Sequence, residues 1–214
     1  MSVNRQDYIK TIYELGGEKN RIATKDIARE LKVSPPSVSE MIKKLVKEEY
    51  LEYELYKGVK LTTYGLEKAL EIKKKHLLWE VFLVEKLKYD WEDVHEVAEM
   101  LEHITSPKLE ERLEEYLDYP EICPHGTPIR NNGYLFNDIS LDQINSGESL
   151  VIKRLADDKE ILRYAKLIDL NIGDKITVLG KDSKGNIKIK NKEKKIEIKF
   201  DLAKKIYVDK GMLE

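Results

Sequence analysis

The sequence predicts a mainly α chain with a β-rich end: an N-terminal winged helix-turn-helix, a helical middle domain and a small C-terminal β domain. Three observations carry this expectation. Apolar residues recur with helical period to about residue 118. All six prolines lie at or before position 128, and Pro120, Pro124 and Pro128 crowd into one linker. Beyond it the pattern turns to short alternating runs such as Lys175-Ile-Thr-Val-Leu179 and Ile187-Lys-Ile-Lys190, which have the period of strands. The expected domains are 1–72, 73–140 (helices and linker) and 141–214.

Taken in order, Asp7 to Leu15 places Ile9, Ile12 and Leu15 on one face of a first helix, which stops at Gly16-Gly17. Thr24 is the expected N-cap of a second helix with Ile27, Ala28 and Leu31 inside. Ser34 caps a third, with Pro35 at its first position, where a missing N–H costs nothing. Val38, Met41, Ile42 and Leu45 form its stripe, and the short link Lys32-Val33-Ser34 makes the helix pair a helix-turn-helix. Leu51–Leu55 and Val59–Leu61, separated by Tyr56-Lys57-Gly58, read as a hairpin and complete a winged helix. A long helix then runs from Thr63 through Lys88, another from about Asp90 to His103, and Pro107 opens a third. After residue 141 strands are expected at 149–155, 175–180, 186–190 and 195–200, with a helix near Lys159–Leu170.

At 41% hydrophobic and 36% charged, the 214 residues have apolar material for real cores and the surface of a water-soluble helical protein. The sequence has no apolar run able to span a bilayer and opens without a signal-peptide pattern, so a cytoplasmic protein is expected. The single cysteine cannot form an internal disulfide, which leaves its thiol for a metal or a core. Charge is uneven: residues 1–65 carry a net +2, residues 66–120 a net −7, and the remainder a net +3. An acidic middle between mildly basic ends suits a cation-binding centre beside an anion-binding module, although solvated helix faces give the same numbers.

In a winged helix the third helix enters the DNA major groove by its N-terminal residues, and the wing meets the backbone. Ser34, Ser37 and Ser39 suit phosphates and base edges, Pro36 a thymine methyl, and Glu40 a cytosine amine. Lys43, Lys44, Lys57 and Lys60 are placed to neutralise phosphates. The alternative is that the module binds another protein.

All four histidines and the cysteine fall between positions 76 and 125: His76, His95, His103, Cys123 and His125, with Glu80, Glu92, Glu99 and Glu102 among them. These are the side chains that hold transition metals. His76 and Glu80 share a helix face. His95, Glu99, Glu102 and His103 fall within an arc of roughly 100° on the next helix. Burying so many polar groups together without a cation is costly.

These residues together resemble the diphtheria toxin repressor family of metal-dependent bacterial repressors. The likeness runs through most of the chain: Ser34-Pro-Pro-Ser-Val-Ser39 in the winged helix, His76-x3-Glu80, then His95-x3-Glu99-x2-Glu102-His103. It implies that the middle domain binds metal and dimerises, and that the chain ends in an SH3-like β-barrel. It also implies two metal sites per subunit: a primary one of Asp7, Glu99, Glu102 and His103, and an ancillary one of His76, Glu80 and His95.

The iron-type members carry methionine and cysteine where Asp7 and Glu99 stand. Hard carboxylates suit Mn²⁺, so Mn²⁺ is the expected corepressor, with Fe²⁺ the alternative and other divalent metals able to bind in vitro. Short manganese regulators have a glutamate bridging two metals at the position of Lys10. A charged lysine cannot be a ligand, which speaks against such a pair. Cys123-Pro-His125-Gly126 resembles the linker of the three-domain manganese-responsive members, where a Cys and a His complete the second site with Glu80 and an acid from the last domain. Asp158 or Glu160 would be that acid, Glu160 by preference. His76 and His95 would then support the ligands or form a separate weak site. Cys123 can also be read as a small core residue, and the last domain as a peptide-binding module.

The expected protein is therefore a homodimeric, metal-activated repressor of metal-uptake genes, bound to a palindromic double-stranded operator and remote from any membrane. Asp7 would couple the metal to the DNA-binding helices, and the segment Pro107–Leu117 would contribute to the dimer. The rival classes are a metallo-enzyme, against which no H-E-x-x-H motif stands in the sequence, and a winged-helix regulator that senses an organic ligand.

Overall fold

The computed structural model describes residues 3–130 and 139–209. The expected domain ends at 1–2 and 210–214, and part of the linker, lie outside them. The described chain divides into two compact units, one of residues 1–76 with 99–110, the other of residues 77–98 with those from 111 onward.

The first unit opens with α1 (Val3–Glu14), α2 (Thr24–Glu30) and α3 (Pro35–Lys47) around buried Ile9, Ile12, Ile27, Val38, Ile42 and Leu45. Ser34 caps α3 as expected, accepting from the Ser37 N–H at 3.4 Å. Thr24 does not cap α2. Ala23, still extended after Ile22 pairs with Val59, is the cap residue, so Thr24 becomes the first helical residue. The wing is β1 (Leu51–Glu54) antiparallel to β2 (Gly58–Leu61). Gly58, at φ +99°, lies so close to the Ile22 carbonyl that a Cβ would meet it at 2.1 Å, so a glycine is needed for the wing to close on that segment.

Three helices contribute to both units: α4 (Thr63–Glu85), α5 (Val94–Ile104) and α6 (Pro107–Tyr116). α5 starts four residues after the expected Asp90 because Asp93 N–H bonds the Asp90 carbonyl in a turn. α6 opens at its proline as expected.

The second unit is dominated by a six-stranded antiparallel sheet. Its strands are β3 (Ile139–Ser140), β4 (Ser149–Leu155), β5 (Lys175–Lys181), β6 (Ile187–Asn191), β7 (Lys194–Ile198) and β8 (Ile206–Asp209), in the order β3-β8-β4-β5-β6-β7. Inward Ile152, Leu155, Ile176, Val178, Ile187 and Ile189 pack with Ile161 and Leu162 of α7 (Lys159–Ile168). Full burial of such side chains stabilises by about 1.5–3 kcal/mol each. The helix α8 (Phe200–Ala203) and the strands β3 and β8 escape sequence reasoning. β8 has only Ile206 and Val208 facing inward, too few to show a period, yet it lies between β3 and β4. Among the described residues no helix is long and apolar enough to cross a membrane.

Candidate metal centres

In the first unit α1 and the end of α5 bring Asp7 to His103, whose Nε2 also lies 3.7 Å from Glu102 Oε1. His103 is almost buried, with both ring nitrogens engaged. Nδ1 lies 2.8 Å from the side-chain oxygen of Gln6, and Nε2 lies 2.9 Å from Asp7 Oδ1. An amide oxygen only accepts, so Nδ1 carries the proton and Nε2 is left to face a carboxylate. Nitrogen lone pair and carboxylate cannot face each other at that distance without a proton or a metal between them. Burial pushes Asp7 above the ordinary carboxylate value, against the lowering effect of His103.

The Glu102 side chain is fully buried. Both its oxygens lie 2.9 Å from Lys10 Nζ, and Oε2 is 2.6 Å from His76 Nδ1. Burial alone would raise the Glu102 carboxyl, but His76 and Lys10 outweigh it and hold it below the ordinary value. Glu99 is half-exposed, 3.7 Å from the same ammonium. His76 turns its Nδ1 to Glu102.

The second unit gathers a separate set. Ligand atoms of Glu80, Cys123 and His125 all lie within 4.8 Å of one another, and those of Glu80, His95 and Asp157 do likewise. His125 Nε2 donates to the Trp91 carbonyl oxygen at 2.8 Å, so Nδ1 is the nitrogen turned to the cluster. It faces Glu80 Oε2 at 3.4 Å and Asp157 Oδ1 at 3.8 Å, buried and without a hydrogen bond. His95 Nδ1 is 2.6 Å from Asp157 Oδ2. Burial pushes the Cys123 thiol up, and Glu80 adds to this. Burial opposes charge on His125, but Cys123 and Glu80 reverse it and push its pKa up to about 11. A proton on Nδ1 is thus the counter-charge of the metal-free cluster, in the place a divalent ion would take. The buried, unbonded nitrogen and the thiol and carboxylates around it fit a transition metal.

The linker reaches this cluster by docking on β4. The His125 carbonyl accepts from Leu155 N–H at 3.0 Å. Gly126, at φ +85°, passes so close that a Cβ would lie 2.2 Å from the Lys153 carbonyl oxygen.

Glu160 does not reach the cluster. It is exposed on the first turn of α7, 3.5 Å from Lys205, and Asp158 is committed to capping α7 and to Lys205 at 2.9 Å. The carboxylate that arrives is Asp157, one residue before the cap. The adjacent pair Asp157-Asp158 ahead of an amphipathic helix was the available signal: one caps, and the other is left over. Gln6 and the Trp91 carbonyl left no sequence signal.

Known proteins share this arrangement of segments. Three family models match in succession: the N-terminal DNA-binding domain of iron-dependent repressors over residues 1–59, their metal-binding and dimerisation domain over 62–131, and the FeoA domain over 139–210. An HTH-type transcriptional regulator of Methanocaldococcus jannaschii, MJ0568, is 40% identical over 119 residues, a match that spans 55% of this chain and 95% of that one. The diphtheria toxin repressor of Corynebacterium efficiens is 28% identical across 95% of this chain and 94% of its own. A solved structure of the manganese regulator SloR has a TM-score of 0.81 and 35% identity, covering 98% of this chain and 99% of that one. The chain belongs to the diphtheria toxin repressor family.

Members of this family are metal-dependent, DNA-binding transcriptional repressors rather than enzymes, and the six-stranded domain is their SH3-like module. The surface expected to read DNA is exposed in this repressor: the cap Ser34, then Pro36, Ser37, Ser39, Glu40, Lys43 and Lys44 along α3, and Lys57 on the wing. Lys60 is half-buried. Several of these groups already have local partners. Ser39 Oγ donates to the Pro35 carbonyl at 3.0 Å, Ser34 Oγ is the cap, and Glu40 lies 2.7 Å from Lys44, which lowers its pKa.

Proposed function

We propose that this repressor is activated by Mn²⁺ and controls metal-uptake genes. Asp7, Glu99, Glu102 and His103 form its activating centre, and Glu80, Cys123, His125 and Asp157 a second one. The observation that carries the reading is the 2.9 Å approach of His103 Nε2 to Asp7, made while Gln6 holds the other nitrogen. The donors there are three carboxylates and one imidazole, with no sulfur, a set that suits Mn²⁺ better than softer ions. The likeness to a manganese regulator along almost the whole chain supports this. The matching models are named for iron, so Fe²⁺ is the competing corepressor.

A bound divalent ion supplies positive charge that lets these carboxylates converge. Asp7 on α1 and His103 on α5 then hold the two helices in one arrangement, and the DNA-competent population grows by its differential affinity for the ion. Met100, Ile104 and Leu109 are exposed apolar residues of α5 and α6 that suit pairing with a second copy. A dimer sets two copies of α3 on the half-sites of a palindrome, with Pro36 and Ser37 toward base edges and Lys43, Lys44, Lys57 and Lys60 toward phosphates. Glu80, Cys123, His125 and Asp157 hold the linker to the end of β4, with His95 orienting Asp157. Work on DNA of this kind belongs in the cytoplasm.

The test is fluorescence anisotropy on duplexes selected from a random library with Mn²⁺ present. The selected site is expected to be a palindrome whose affinity collapses with a chelator and returns with Mn²⁺ at lower free concentration than with Fe²⁺ under anaerobic conditions. Asp7→Ala should lose the metal response. Activation by Fe²⁺ alone favours the iron reading, and binding indifferent to metal favours an organic effector.

A further inference from the structure

The tip of the wing carries apolar side chains that the fold does not bury. Tyr56 is 96% exposed and the adjoining Leu55 63%. The turn closes through Lys57 N–H on the Glu54 carbonyl at 3.1 Å, and Tyr56 within it stands at φ +66°. That is the left-handed region, which suits glycine or asparagine and is costly for a bulky side chain. An almost fully exposed ring on a strained backbone does little for the stability of the chain, and strain of this kind collects at functional positions.

The surroundings of the ring point to its partner. The tip belongs to the DNA-binding domain, and Lys57 beside it is exposed. Both acids of β1 are offset: Glu54 pairs with Arg21 at 3.0 Å and with Lys57, and Glu52 stands opposite Lys60 on β2. Three cations against two acids leave the wing positive. The minor groove of DNA is about 6 Å wide, and its A·T pairs present acceptors to which a tyrosine hydroxyl can donate, whereas a G·C pair puts an amino group there. Apolar wedges are what minor-groove proteins insert.

We propose that Tyr56 enters the minor groove beside the half-site read by α3, with Leu55 against the sugars and Lys57 on the adjoining phosphate. It adds a preference for A·T pairs at that flank, which the serines and Pro36 of α3 do not supply. This inference rests on the operator binding proposed above and not on which metal activates it.

The test uses the full chain, the selected operator and saturating Mn²⁺ or Fe²⁺, whichever activates the parent. Adenines of the duplex are replaced one at a time by 2,6-diaminopurine, which adds an amino group in the minor groove and leaves the major groove unchanged. The parent should lose at least ~5-fold in affinity where that group stands at a flank of the half-site. Tyr56→Asn suits the left-handed backbone but lacks the ring. It should bind the unmodified operator at least ~5-fold more weakly, ignore the added amino groups and melt no lower than the parent. Tyr56→Phe keeps the ring and should keep the sensitivity to those groups. Full affinity in Tyr56→Asn would overturn the proposal and leave the tip to a protein partner. A lowered Tm in that variant would make the ring structural, and a parent indifferent to every added amino group would exclude the minor groove. A parent that binds no duplex would sink the operator reading itself, and this inference with it.

Discussion

His125 gives its Nε2 proton to the carbonyl oxygen of Trp91 at 2.8 Å, and that bond decides which nitrogen meets Glu80. A backbone acceptor cannot rotate away or titrate, so Nδ1 is presented ready for an ion. His125→Ala is expected to lower bound Mn²⁺ from two ions per chain to one and to weaken the second centre by at least ~100-fold, as loss of a ligand should exceed loss of a supporting group. Trp91→Phe keeps the carbonyl and should keep both ions. Equilibrium dialysis with metal analysis reads both, and a count of two in His125→Ala would remove His125 from the ligand set.

Asp157 and Glu160 are three residues apart and have opposite fates. Asp157 meets His95 at 2.6 Å, while Glu160 extends from α7 toward Lys205. Asp157→Asn should weaken the second centre by roughly 10–100-fold. Glu160→Gln should leave it within about twofold, a difference of under ~0.5 kcal/mol. Calorimetric titration of each variant with Mn²⁺ decides between them, and a larger effect at Glu160 would return that residue to the site.

The same pair shows what can be read from a sequence of this kind. The winged helix was legible because its marks are local: Ser34 with Pro35, the stripe Val38-Ile42-Leu45, and a glycine between two short strands. Glu99, Glu102 and His103 were legible as one face of a helix. What faces them was not. Spacing along a helix cannot reveal that Lys10 and His76 both close on Glu102, nor that Gln6 holds His103. Asp157 was missed because two neighbouring acids compete for the N-terminus of α7, and only packing shows that Asp158 takes it. Strand β8 was missed because its place in the sheet comes from partners at β3 and β4 and not from its own short pattern.

Gly126 permits the docking that brings Cys123 and His125 to Glu80. Its φ of +85° disfavours any side chain, and a Cβ 2.2 Å from the Lys153 oxygen would force the linker or β4 to move. Gly126→Ala should therefore destabilise the protein by about 1–3 kcal/mol, which for a chain of this size lowers Tm by at least ~2 °C. It should also weaken Mn²⁺ at the second centre while leaving the activating centre unchanged. Calorimetric scanning with and without metal checks this. An alanine variant as stable as the parent, with both ions bound, would show that the close approach is dispensable.

Glu102 and Lys10 make stability depend on pH in a calculable direction. Burial raises the Glu102 carboxyl, but His76 and Lys10 hold it below its ordinary value of 4.5 in the folded chain. A carboxyl depressed by folding contributes stability that is present in full above 4.5 and lost as pH falls through the lower folded value. Glu102→Gln keeps the shape but leaves the buried Lys10 with only the more distant Glu99 at 3.7 Å, at a cost of up to about 3–5 kcal/mol near neutrality. As pH falls from 4.5 through the lower folded value, the wild-type carboxylate is itself protonated, so the gap between the two proteins should close. Asp7 shifts the opposite way, raised by burial and in part by Glu102 itself. Urea unfolding of both chains with chelator, from pH 7 downward, measures the gap. A difference that stays constant on acidification would mean that Glu102 is not ionised against Lys10 in the metal-free protein.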